Sequence, residues 1–247
     1  MRLQKILLFI LVLSVYLLFS YNYFQGWWYS AIGTSGILIL AWLIWKKNFL
    51  IKTGLKINIR DVGITIVLTA LILYLGYKLV NAIGEPLDLK PNCQNWRGIA
   101  HIFFYTLNEE IVLGAMLLFY LRNKFPNLGD VIISAVVAFL FAMGHFVFYQ
   151  FVFIPNQGIL LHTTMLTLFF TGMIRNALIL KYNHVGFSWA IHFGWMAVFF
   201  GCYPVNTTTG EHLKESELFN IFLGSPVMVS FSGIIMFGAV YLLLKDK

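Results

Sequence analysis

The chain has 247 residues, of which 60% are hydrophobic, 17% aromatic and 11% charged, against about 25% charged in soluble domains. Together with a mean hydropathy of +0.80, this excludes an ordinary soluble domain, a disordered chain and a disulfide-rich secreted module. The formal net charge is +7, but the basic residues sit between apolar runs rather than along a soluble face, which points to lipid and topology and away from nucleic acid.

About 20 apolar residues cross a bilayer as a helix, and eight runs reach or approach that length: 5–24, 27–45, 62–84, 98–121, 131–153, 159–180, 186–203 and 221–244. Continuous runs of this kind fit helices, not the short alternating strands of a membrane barrel. The expectation is an all-α polytopic membrane bundle of about eight transmembrane helices, with the N-terminus and C-terminus cytoplasmic. The first run follows Arg2 and Lys5 but leads into Tyr21, Asn22, Tyr23 and Phe24, not a small-residue cleavage site, so it reads as a retained helix.

An inside N-terminus places Lys46, Lys47, Lys52, Lys56, Arg60, Arg122, Lys124 and Lys181 on the cytoplasmic side, leaving Lys90, Arg97 and Lys214 outside, as the positive-inside rule asks. The basic stretch 46–60 reads as an ordinary cytoplasmic loop or as an amphipathic element lying on the anionic leaflet. Residues 1–97 hold the N-terminal helices and this loop, 98–203 the core helices, and 204–247 an external loop and the last helix of one membrane domain. Cys93 and Cys202 both fall outside; they are read as two separate thiols, with a bridge as the alternative an oxidising exterior allows. The expected location is a cell membrane, crossed several times.

Ionisable residues inside membrane spans are costly and mark functional sites by default. Glu109 and Glu110 are adjacent in the fourth run, His145 lies in the fifth, Arg175 and Asn176 in the sixth and His192 in the seventh. Each histidine alone is compatible with a hydrogen-bonded core residue. Several such groups on separate helices point to a site in the bundle interior. Glutamate and histidine together can activate water and stabilise an oxyanion, ligate a metal, or relay protons. The histidines lie on different spans with no H-E-x-x-H pair, so no cofactor is expected and bound zinc is disfavoured. Simple counting sets the two histidines at depths different from Glu109, so convergence requires irregular or shifted helices.

These residues resemble the CPBP family of intramembrane glutamic proteases, whose pattern is E-E-x-x-x-R, then F-x-x-x-H, then H-x-x-x-N on successive helices. Glu109 and Glu110 match the paired glutamates, Phe141 to His145 the second motif in full, and His192 the start of the third. The resemblance implies an endopeptidase acting on a membrane-associated peptide or protein. Glu109 would be the base that activates water, His145 would position that water, and His192 would stabilise the oxyanion. Glu110 would hold the site together, and Phe141 would pack the pocket wall.

Two positions depart from the pattern: Gly114 stands where the family has arginine, and Met196 where it has asparagine. Glu110 thereby loses a partner one helical turn away. Arg175 either reaches in to supply that charge, with Gly114 leaving room, or snorkels from a span end to lipid headgroups. Asn176, Asn108 and the Trp195 indole are the candidates to replace the missing amide. The alternative to a protease is a catalytically weak or silent CPBP-like scaffold that binds and regulates another membrane protein. A proton-coupled transporter is a third class, but the chain shows no inverted repeat to support it.

Overall fold

The computed structural model describes residues 2–20, 26–89, 91–147, 159–202 and 215–245. It is all-helical: α1 (Arg2–Ser20), α2 (Trp27–Trp45), a short α3 (Phe49–Lys52), α4 (Ile59–Gly84), α5 (Trp96–Glu109), a π-helical segment (Glu110–Met116), α6 (Leu117–Lys124), α7 (Asp130–Val147), α8 (His162–Tyr182), α9 (Gly186–Cys202), α10 (Glu215–Phe222) and α11 (Pro226–Leu244). Asn58 caps α4 by accepting the Asp61 amide at 2.8 Å, and Asn95 caps α5 by accepting the Arg97 amide at 3.0 Å, which satisfies donors that a helix start leaves open.

Among the described residues six stretches are long and apolar enough to cross a membrane: Trp27–Lys52, Ile59–Leu87, Trp96–Lys124, Asp130–Val147, His162–Tyr182 and Pro226–Leu244. Two shorter apolar helices, Phe9–Phe19 and Gly186–Cys202, stand in the remaining two expected places. The chain is a multi-pass membrane protein. Its centre is the stretch from α5 to α6 together with α8, where 67% and 61% of the apolar window is buried, against 11% along α4. Around that centre α4 packs on α9, α7 and α11 pack on α8, and α2 packs on α5.

The approach of α7 to α8 is set by Gly172, where an added Cβ would lie 3.0 Å from the Ala138 Cβ and 3.1 Å from its Cα. Small residues at such a crossing let two backbones come close. Because α7 carries His145 and α8 carries Arg175, this contact sets their spacing. Gly172→Leu is expected to destabilise the protein by about 1–3 kcal/mol, as overpacking does, read as a lower unfolding midpoint in detergent.

Three sequence readings are corrected. The last run, 221–244, is broken: Ser225 caps α11 by accepting the Met228 amide at 3.2 Å, Pro226 takes the first helical position, and a proline ring cannot continue a helix arriving from before it. The basic stretch is not irregular from its start: α2 ends at Trp45, Lys46 takes a φ of +51°, and a 3-10 turn (Lys46–Asn48) leads into α3. Chain reversal comes only at Gly54, whose φ of +69° suits glycine, and whose carbonyl accepts the Val185 amide at 2.9 Å beneath α9.

The third correction concerns the cysteines, which are not separate thiols: Cys93 is joined to Cys202. Alongside this bridge the Asn92 amide donates to the Cys202 carbonyl at 2.6 Å and the Gln94 side chain to the Phe200 carbonyl at 3.1 Å. Carbonyls that the end of α9 would leave open are thus satisfied. Cys93→Ser is expected to cost about 2–4 kcal/mol, the usual worth of a bridge closing a long loop. Thermal unfolding with and without reductant checks this. Of the expected outer loop, 204–220, residues 204–214 lie outside the described residues, and the rest is not loop but belongs to α10.

Candidate active site

Glu109 ends α5 and Glu110 begins the π segment, and both side chains are fully buried. Neighbouring helical residues point about 100° apart, so the two carboxylates reach different helices. The π segment is a wider turn of a kind that recurs at functional sites.

Glu110 turns to α9. Its Oε2 accepts the Ser188 hydroxyl hydrogen at 2.6 Å, and its Oε1 lies 2.9 Å from His192 Nδ1. A carboxylate only accepts, so Nδ1 carries the hydrogen and donates it. The ring is thereby oriented with Nε2 directed away from Glu110.

Glu109 turns to α8, where Arg175 Nη1 is 3.9 Å from its Oε1. Neither Glu109 oxygen has a hydrogen-bond partner among the described residues, nor has Arg175 Nη1. The rest of the guanidinium is tied down: Nε donates to Asn176 Oδ1 at 3.2 Å and Nη2 to the Leu113 carbonyl of the π segment at 3.3 Å. Its carbon stands 4.3 Å from the centre of the Phe141 ring, a cation–π distance. Arg175 is 6% exposed, so it does not snorkel to headgroups. It also does not supply the charge missing beside Glu110, because its carboxylate is Glu109.

His145 donates from Nδ1 to the Phe141 carbonyl at 2.9 Å, the carbonyl being an acceptor only. The Phe141 and His145 rings meet edge to face at 4.6 Å. Phe141 therefore does more than pack a wall, since one side chain contacts both His145 and Arg175. The contacts thus group Glu109, Arg175, Phe141 and His145 on one side and Glu110, Ser188 and His192 on the other.

A cavity of about 230 Å³ adjoins both groups, and Glu110, His145, Arg175, Ser188 and His192 contribute to its lining. Its walls are otherwise mostly apolar and include Leu75 of α4 and Phe231 of α11. Glu109 itself is not part of the lining. Met196 is, at the place where the family pattern has an amide. Of the three candidates to replace that amide, Asn176 is spent on the Ser134 carbonyl at 2.8 Å and Asn108 points to the Ser30 carbonyl at 3.4 Å on α2. Trp195 lines the cavity, and its indole N–H has no partner among the described residues.

Sequence reasoning missed Ser188. The signal was a hydroxyl four residues before His192 in an apolar helix, which is the spacing that shares a face. Among the described residues no group of three or more His, Cys, Asp or Glu is arranged to hold a metal ion.

Residues 91–198 match the family model of the type II CAAX prenyl endopeptidase Rce1-like proteins. The match is thus to a family of the CPBP type. No curated protein and no solved structure gives a match. The matched stretch runs from the segment docked on the end of α9, through α5, α7 and α8, to the cavity-lining part of α9. Every residue expected at the site therefore lies within it. Gly114 is also inside, where an added Cβ would lie 2.8 Å from Ile179 Cδ1 and 3.6 Å from Glu110 Oε2. The space an arginine side chain would enter is partly taken by Ile179.

Proposed function

We propose that the protein is an intramembrane endopeptidase that hydrolyses a peptide bond of a membrane-associated peptide or protein with glutamate-activated water. The observation that carries this reading is Glu109, a buried carboxylate without hydrogen-bond partners among the described residues, beside Arg175, which lines one cavity with His145 and His192. A carboxylate accepts hydrogen bonds only, so Glu109 can take one, and then a proton, from a water molecule.

In the proposed reaction the water oxygen bonds to the peptide carbonyl carbon while Glu109 takes a proton from it. Arg175 fixes the carboxylate, and His145, held by the Phe141 carbonyl, orients the water through Nε2. The carbonyl oxygen gains the electron pair and receives a hydrogen bond from Nε2 of His192, whose ring carries a hydrogen on both nitrogens as the imidazolium in this step. The carbon–nitrogen bond then breaks, the proton on Glu109 passes to the leaving nitrogen, and the products are a carboxylic acid and an amine. The apolar walls of the cavity suit a substrate drawn from the bilayer. We place the protein in a cell membrane with both termini cytoplasmic.

Met196 favours a second reading, a catalytically weak or silent scaffold that binds another membrane protein, because the cavity lacks the amide donor of the family pattern. One experiment separates the two. Membrane and secreted peptides are compared by quantitative mass spectrometry from cells with wild-type protein, Glu109→Gln at matched abundance, or no protein. A precursor that accumulates uncleaved in both altered strains supports the protease. If Glu109→Gln matches wild type while the deletion differs, the scaffold is the better reading.

A further inference from the structure

We infer that Ser188 is a positioning residue: its hydroxyl does at Glu110 what the arginine of the family pattern would do from position 114, and through Glu110 it sets the orientation of His192. The inference rests on the protease reading only for the use to which His192 is put.

Glu110 has two carboxylate oxygens, and the contacts recorded for them come from one helix: Ser188 Oγ at 2.6 Å on Oε2 and His192 Nδ1 at 2.9 Å on Oε1. Ser188 Oγ also lies 3.0 Å from the Val185 carbonyl. A hydroxyl has one hydrogen to give, and the shorter contact to the charged acceptor takes it. Position 114 cannot contribute, because it is glycine and the neighbouring space is occupied by Ile179. Ser188 and His192 are four residues apart on α9, so the helix delivers them to one carboxylate as a pair, and Ser188 is buried.

The exchange of arginine for serine has a chemical consequence. An arginine would bring a full positive charge and share the carboxylate with His192, whereas a hydroxyl brings one hydrogen bond and no charge. Glu110 is thereby left with His192 as its direct basic partner. Losing the hydroxyl would free the carboxylate to rotate about its terminal torsion, which is broad and soft, and the imidazole would rotate with it.

The test uses the full-length protein in detergent or nanodiscs, labelled with 15N-histidine, with the His192 ring resonances assigned by their loss in His192→Gln. Ser188→Ala is expected to move those resonances, and Ser188→Thr, which keeps the hydroxyl, to leave them near wild type. Cleavage of the precursor is expected to fall about tenfold to a hundredfold in Ser188→Ala, the worth of one hydrogen bond to a charged group, and to be largely retained in Ser188→Thr. Unmoved His192 resonances in Ser188→Ala would overturn the inference. So would wild-type cleavage by Ser188→Ala where Glu109→Gln abolishes it. If Glu109→Gln leaves cleavage intact, the protease reading falls instead, and the His192 resonances still decide the role of Ser188.

Discussion

Glu109→Gln is expected to reduce precursor cleavage by at least about a hundredfold, the lower end of what a positioned general base supplies, with protein still accumulating in the membrane. Glutamine is the informative replacement. Its amide oxygen can still face Arg175 Nη1, now 3.9 Å from Oε1, so Arg175 keeps a polar partner while the proton acceptor is lost. Abundance matched by immunoblot separates lost chemistry from lost protein. Cleavage within about threefold of wild type at equal abundance would remove Glu109 from the base role, since that is far below the contribution of general base catalysis.

The largest stability effect is expected at Arg175. Arg175→Met removes the cation beside Glu109 and leaves a fully buried carboxylate that has lost this ion pair and has no hydrogen-bond partner among the described residues. Breaking a buried pair from one side costs about 3–5 kcal/mol, because the remaining charge keeps its desolvation penalty. Three further anchors go with it: the bonds to Asn176 and to the Leu113 carbonyl and the contact with Phe141. The double variant Glu109→Gln with Arg175→Met tests the cause. It is expected to be more stable than Arg175→Met alone while remaining inactive, because neutralising the stranded carboxylate removes the electrostatic part of the cost. Unfolding midpoints of the four proteins in one detergent form the double-mutant cycle. A double variant no more stable than Arg175→Met would mean that the penalty comes from lost packing.

Together these expectations describe a site whose positive charge comes from a different helix than the family pattern suggests. Arginine at position 114 would serve Glu110 from the same helix. Here Arg175 arrives from α8 and serves Glu109, and Glu110 is held by Ser188 and His192 of α9. The two glutamates therefore tie the central helix to two different neighbours, and each depends on its own partner.

Composition and the spacing of apolar runs determined that the chain is a helical membrane bundle, because a bilayer imposes a length on every helix that crosses it. They determined which residues demanded explanation as well, since Glu109, Glu110, His145, Arg175 and His192 are costly inside apolar helices whatever the fold. What they could not contain was partner choice. Arg175 on Glu109 in place of Glu110, and Ser188 as a holder of Glu110, follow from the rotational setting of α8 and α9 against the central helix, which many side-chain contacts fix jointly. The π segment at Glu110–Met116 changes that setting through the backbone, and its apolar sequence has the same period as the α-helix around it. The Cys93–Cys202 bridge spans a sequence separation of 109, a proximity that only the folded path of α5 to α9 creates. The break before α11 was the exception among these, written in Ser225 and Pro226, a cap and a first-turn proline hidden inside an otherwise continuous apolar run.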